Sequence, residues 1–246
     1  MLTTASLNAG YDSSVPSGEG LRRPDGSAYG PTRPLLLNAA CVRGICAAQS
    51  VSICSATIST LVGCDWGGAQ LIAAYGLDER LTRLILLPQE AFDNFPPGLP
   101  GRLLYLSSKV PGMTLLALQP LRVRSLRRSP VNFGLMSKRT VPRDIMDGWL
   151  APALCSSDVR RDLLKYLRTT RRNEYLEAAE KLAAFAKPAL VLWAPESRMM
   201  RPENGPRLAK ALARGRLVEV GDSFTLIPED QPKACIDEIR SFVAEG

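Results

Sequence analysis

The sequence predicts an α/β fold on a mostly parallel sheet, and three observations carry that prediction. Short runs rich in Leu, Ile and Val at 58–62, 81–87, 189–193 and 216–220 read as buried strands. Helical stretches separate them, which is the alternation that parallel strands require. The 246 residues are 46% hydrophobic and 22% charged, ordinary for a globular domain with room for one core and an inserted helical segment.

Each element follows in order. Residues 1–34 are rich in Ser, Gly and Pro and show no periodicity. Residues 35–37 read as a short strand, and 39–57 as a helix or nothing regular. The whole of 1–57 is therefore expected to be an irregular or degenerate N-terminal segment. It stands where a doubly wound sheet would hold its first strands, which implies an unpaired edge and an incomplete core. The first clear strand, 58–62, leads through a tight turn at 63–68 into a helix at 69–75, with Gly76 as its stop. After the strand at 81–87, Phe92 to Gly98 is a turn-rich exit from the sheet. Helices are expected at 101–110, 113–128, 143–151 and 157–170, together a helical cap over 99–172. An amphipathic helix at 173–186, the strand at 189–193, a helix at 202–213, the strand at 216–220 and a closing helix at 231–243 complete the core. That core spans 58–98 and 173–246.

The net charge is +7, and it is concentrated. Between Gly98 and Arg172 there are fifteen Lys/Arg and four Asp/Glu, so the remainder of the chain is net acidic. Arg122, Arg124, Arg127 and Arg128 form one cluster. Arg160, Arg161, Lys165, Arg168, Arg171 and Arg172 form another, much of it on one helical face. A solvated basic helix surface explains both; a polyanion-binding patch is the alternative. No nucleic-acid-binding motif accompanies them. The six cysteines include no Cys-x-x-Cys pair, and the chain has no histidine, so no zinc constellation and no organic cofactor is implied. A core of this size needs no disulfides, and neither a signal peptide nor a spanning apolar stretch is visible. Reduced thiols in the cytoplasm are the expectation.

The motif that carries chemistry is Gly63-Cys64-Asp65-Trp66-Gly67-Gly68, set between an apolar strand and an apolar helix opening. Glycines around Asp65 permit a sharp strand-to-helix turn, and the helix N-terminus favours negative charge there. This resembles the nucleophile elbow of α/β-hydrolases, in the aspartate-nucleophile branch of epoxide hydrolases and haloalkane dehalogenases. The resemblance covers about 58–243. Leu190-Val191-Leu192-Trp193-Ala194-Pro195-Glu196 is similar to the strand whose following turn supplies the acid. The run from Val218 to Pro232, with its Glu229-Asp230-Gln231-Pro232 ending, is similar to the loop that supplies the histidine.

The resemblance implies an α/β-hydrolase fold with a mostly parallel sheet, a helical cap and missing or degenerate N-terminal strands. It places Asp65 at the nucleophile position, with a helix N-cap as the plainer role. Trp66 reads equally as a leaving-group or substrate contact and as packing under the cap. The acid position falls on Ser197 and the histidine position on Thr225. Neither residue can do the work of the one it replaces, and no other side chain titrates unperturbed near neutral pH. Glu90, near the end of the following strand, is a possible alternative acid; Glu90 or Asp93 could also serve as a base through water. Tyr105, Tyr166 and Tyr175 read as packing, or as the cap tyrosines that protonate an epoxide oxygen. Cys64 reads as a small buried filler, Met199 and Met200 as pocket-edge or packing residues. The expected substrate is a small apolar organic molecule attacked at an epoxide or carbon–halogen carbon, with turnover absent or much impaired. A non-catalytic protein binding through its basic cap is the alternative.

Overall fold

The structure, a computed structural model, describes residues 59–66, 68–74 and 81–245. The expectations for 1–57, including the strand at 35–37, and the helix stop at Gly76 lie outside the described residues. Four strands form one sheet: β1 (Ser59–Asp65), β2 (Leu81–Gln89), β3 (Ala189–Trp193) and β4 (Gly215–Glu219), in the order β1-β2-β3-β4, every pair parallel. Helix α1 (Ala69–Ala74) links β1 to β2. Between β2 and β3 lie α2 (Gly98–Ser107), α3 (Met113–Leu118), α4 (Arg143–Cys155), α5 (Ser157–Thr169) and α6 (Arg172–Lys181). Helix α7 (Asn204–Ala211) leads to β4, and α8 (Ile227–Asp230) and α9 (Pro232–Ala244) end the chain.

Why a parallel sheet forms here is visible in the burial. Leu84, Leu86, Ala189, Val191 and Trp193 pack on one side with Leu71 of α1, Ala178 of α6 and Leu208 of α7. The intervening Ile85, Leu87, Leu190 and Leu192 pack on the other with Cys235 and Phe242 of α9. Side chains of a strand alternate between faces, so a run that is apolar at every position needs both faces covered. Strand β3 meets that condition at all five of its residues.

Five elements depart from the periodicity. The helix expected over 113–128 ends at Leu118 and continues as 3₁₀ turns at Gln119–Arg122 and Arg124–Leu126. Pro120 has no N–H to give and crowds the preceding turn, which ends the α-helix there. The helix expected to 186 stops at Lys181, with a 3₁₀ turn at Leu182–Ala184. Strands β1 and β2 run past the expected ends at Val62 and Leu87, to Asp65 and Gln89. The short helix α8 was not expected at all.

Most of the arginines in the two basic clusters are structural. Arg122 and Arg160 both donate to the carbonyl of Leu154 at the end of α4, and Arg160 also to Ala153. Arg168 donates to Ser108 O at 2.8 Å. Arg124 and Arg127 pair with Asp147, and Arg161 with Asp158. Arginine forks at exposed carbonyl ends suit the helix dipole and cap otherwise unpaired acceptors.

One buried carboxylate fixes the 137–139 turn against the loop after β4. Asp230 accepts from the backbone amides of Phe224, Lys138 and Arg139, each at 2.9 Å, and from Ser137 Oγ at 2.7 Å. Burial works to raise its pKa, but these donors prevail and hold it below its ordinary value. Folded Asp230 thus binds a proton less readily than in the unfolded chain. Its contribution is complete above the unfolded pKa and is lost as pH falls through the folded one. We predict that Asp230→Ala destabilises the fold by about 3–5 kcal/mol, since it strands several buried donors at once. Chemical denaturation would measure the loss, and the difference from wild type would shrink in acid.

Candidate active site at the ends of β1 and β2

The carboxyl ends of parallel strands point the same way, so residues just past β1 and β2 meet at one edge of the sheet. Asp65, the last residue of β1, has a positive φ of 50° and is buried. Asp tolerates this left-handed region better than most side chains, and the turn resumes at Gly68, where φ is +62°. The two glycines act differently. Gly63 stands where α1 crosses β1: a Cβ there would lie 2.3 Å from Ala69 Cβ and 3.0 Å from Gln89 Oε1. Its role is close approach of helix to strand, whereas Gly68 supplies the turn.

Glu90 follows β2 directly and is fully buried. Neither of its carboxyl oxygens has a hydrogen-bond partner, and Asp65 Oδ1 has none either. Burial pushes the Asp65 carboxyl up. It pushes Glu90 well above the ordinary carboxylate range, with the neighbouring Asp65 charge acting in the same direction. The adjacent amides are engaged elsewhere. Gln70 donates to the Glu90 backbone carbonyl, and Gln89 Nε2 donates to Gln70 Oε1 at 2.5 Å. Cys64, between Gly63 and Asp65, contacts Pro88 O at 3.9 Å, and burial raises its thiol. It is half-buried, packed at the edge of the core formed by Ile85, Leu87 and Leu190, and not the fully buried filler its position suggests.

An aromatic wall closes this end. Trp66 stacks on Tyr166 with centroids 5.2 Å apart, and Phe95 stacks on Tyr175 at 5.5 Å. The hydroxyls of Tyr166 and Tyr175 lie 3.3 Å apart, and burial raises both phenols. Phe95 meets Tyr105 edge-on, and Lys109 lies over the Tyr105 ring.

Above Asp65 opens an apolar cavity of about 550 Å³. Asp65 and Trp66 form its floor; Leu103, Phe133, Trp149 and Met199 are among its walls. No other Asp, Glu, Lys or Arg lines it, and none of the three tyrosines does. Glu90, Ser197 and Thr225 also stand outside the lining. Tyr166 and Tyr175 are buried, with their hydroxyls against each other.

Ser197 and Thr225 come together. Ser197 follows β3, Thr225 lies in the loop after β4, and their hydroxyls are 3.0 Å apart and buried. Ser197 Oγ also accepts from Met200 N at 3.2 Å. Glu196 turns outward, where it pairs with Lys138 at 2.5 Å and accepts from Asp222 N. Asp93 faces Arg172, Arg201 and Arg207; although burial works to raise it, Arg201 first and then Arg172 hold its pKa below its ordinary value. It is an ion-pair anchor for α6 and α7, not a poised base. Sequence reasoning missed Gln70 and Gln89, though an amide in the otherwise apolar start of α1 was a visible signal. It treated Asp230 as a register mark only. Among the described residues no group of three or more His, Cys, Asp or Glu is placed to hold a metal.

No protein-family model matches the chain. The uncharacterized hydrolase YugF of Bacillus subtilis (strain 168) is 28% identical over 106 residues, which are 43% of this chain and 37% of the relative. The chain thus spans little more than a third of that protein. Among solved structures, an α/β hydrolase fold protein from Burkholderia ambifaria aligns with a TM-score of 0.58 and 21% identity, over 73% of this chain and 64% of that one. A loop variant of the haloalkane dehalogenase DbeA from Bradyrhizobium elkanii aligns at 0.58 and 19% identity, over 77% and 68%. These likenesses define the architecture: the protein has the α/β-hydrolase fold.

The unpartnered Glu90 yields a prediction. A carboxyl whose folded pKa is raised gives stability that is full below its unfolded pKa and lost as pH rises through the folded one. Glu90→Gln should therefore raise the melting temperature by about 2–4 °C in mildly alkaline buffer and change it little in acid. A difference independent of pH, measured by calorimetry, would mean Glu90 has found a partner.

Proposed function

We propose that Asp65 is a carboxylate nucleophile of the kind that opens epoxides or displaces halide, in a site that lacks the base to finish the cycle. The observation behind this is that a buried carboxyl with a free oxygen, held in a left-handed turn, is the one ionisable group lining an apolar cavity. In the proposed step an Asp65 oxygen attacks an electrophilic carbon. The carbon–halogen or carbon–oxygen bond breaks, the leaving atom takes the electron pair, and an Asp65 alkyl ester remains. Halide departs as the anion; an epoxide oxygen takes a proton from water. The Trp66 indole N–H is the candidate donor to the leaving group, and the helical segment over 99–172 serves as the cap.

Release of the ester requires an activated water. In this reading Thr225 occupies the histidine position and Ser197 the acid position, and two hydroxyls bonded to each other cannot take a proton from water near neutral pH. The chain contains no histidine to do so. Glu90 supports a second reading. Esterified Asp65 is neutral, so the repulsion that helps keep Glu90 protonated disappears, and Glu90 becomes the nearest carboxylate able to accept a proton. Slow release dependent on Glu90 belongs to that case. A binding function through the basic helices has less support, because many of their arginines are engaged internally.

Intact-mass spectrometry after incubation with small epoxides and haloalkanes tests the reading. The expected result is one stable adduct on wild type, reduced by about 10³-fold or more in Asp65→Asn. Adduct formation should accelerate as pH rises, because Asp65 must be ionised and burial holds its pKa up. Repeated turnover without an adduct, or labelling that survives Asp65→Asn, would overturn it.

A further inference from the structure

The mouth of the cavity opens onto a surface unlike the rest of the molecule. Leu99, Arg102, Leu103 and Leu106 lie at i, i+3, i+4 and i+7 on α2, so they share one face, and all four are exposed. Leu106 is 62% exposed. On α3, Met113, Leu115 and Leu116 are likewise exposed, Leu116 at 60%, while Thr114 and Leu118 are buried. Val110, Val123, Leu126 and Val131 extend the patch. Ten of the thirteen exposed large apolar side chains among the described residues fall between 99 and 131, so this is a patch and not scattered exposure.

The same stretch is one-signed in charge. From Gly98 to Arg143 there are nine Lys/Arg and not one Asp or Glu. Arg124 and Arg127 are answered by Asp147, and Lys138 and Arg139 by Glu196 and Asp222. The others are not neutralised by these pairs. Arg122 and Arg128 hydrogen-bond to uncharged acceptors: Gln119 Oε1, Leu154 O, Thr140 Oγ1 and Lys138 O. Lys109 sits over the Tyr105 ring at 4.2 Å, and Arg102 stands within the leucine stripe.

We propose that the exposed face of α2 and α3 seats on an anionic lipid surface. Its leucines enter the headgroup–acyl boundary and Arg102 and Lys109 meet the lipid phosphates, while the exposed Arg122 and Arg128, bonded only to uncharged acceptors, keep their charge and add to the positive field. Arg102 suits this position because a long stem can lie along apolar neighbours while its head reaches phosphate. A nucleic acid would use the cations but leave the leucines in water. A second copy packed symmetrically would bring the two sets of cations together. An anionic lipid surface satisfies both features at once. Leu103, Leu106, Val110, Met113 and Val131 belong both to the patch and to the cavity rim, so the seated cavity opens toward the acyl layer. The contact is peripheral, for among the described residues no helix is long and apolar enough to cross a membrane.

Vesicle flotation tests this, with phosphatidylcholine alone and with phosphatidylcholine mixed with phosphatidylglycerol. The full chain should float with the anionic vesicles, bind neutral ones at least about 10-fold more weakly, and dissociate with added salt. The double variant Leu115→Ser/Leu116→Asp touches no cavity-lining residue, and it should weaken binding by about 10-fold with an unchanged melting temperature. Arg102→Glu should do likewise. Equal binding to both vesicle types, or anionic binding indifferent to Leu115 and Leu116, would overturn the proposal. So would a dimer at the same concentrations that Leu116→Asp dissolves while vesicles go unbound.

Discussion

Asp65 and Glu90 end neighbouring parallel strands, out of water, with three of their four carboxyl oxygens lacking a donor. The parallel arrangement puts them there, since both strands deliver their C-terminal ends to the same edge of the sheet. The polar groups that could have satisfied them are turned to one another: Gln70 and Gln89 bond across α1 and β2, and the Tyr166 and Tyr175 hydroxyls face each other. The outcome is a dry, under-satisfied carboxyl pair beneath an apolar cavity. Such an arrangement costs stability and is retained most readily where it serves binding or chemistry. The glycine at 63, the left-handed turn at Asp65 and the aromatic wall around Trp66 are all geometric conditions for that pair.

The long helical excursion between β2 and β3 is held by charge at defined points. Asp93 gathers Arg172, Arg201 and Arg207 near the sheet, and Asp230 gathers the 137–139 turn. Arg122, with Arg160 and Arg168 on α5, closes carbonyls within the excursion itself. Helices α2 and α3 take no part in the ion-pair contacts. The segment is thus fastened along one side, while its other side presents leucine and unneutralised cations beside the cavity mouth.

How much of this was legible in the sequence depended on the kind of signal. Strand β3 was readable residue for residue, because a fully buried strand is an unbroken apolar run bounded by turn formers. Strand β1 was read three residues short, since Gly63 suggests the start of a turn; in fact it makes room for Ala69 within the strand. The helix over 113–128 was over-read because apolar periodicity outweighed Pro120. Ser197 and Thr225 were picked out by the apolar strand before one and the Asp230-x-Pro mark after the other. Their mutual hydrogen bond did not, because a contact across 28 residues leaves no trace in local pattern. The burial of Glu90 was equally invisible, being set by residues distant in sequence. The basic clusters were seen, but which arginines find carbonyl partners depends on where helices end in space.

The three tryptophans are sorted into separate compartments. Trp193 lies wholly within the sheet core, its indole donating to Arg201 O at 3.1 Å. Trp66 and Trp149 line the cavity, Trp66 against Tyr166 at its floor and Trp149 beside Phe133 in its wall. The intrinsic emission of the protein is consequently a composite of one dry, invariant fluorophore and two that face the ligand space. A molecule entering the cavity alters the second component and leaves the first as an internal standard, so occupancy can be followed optically without any label.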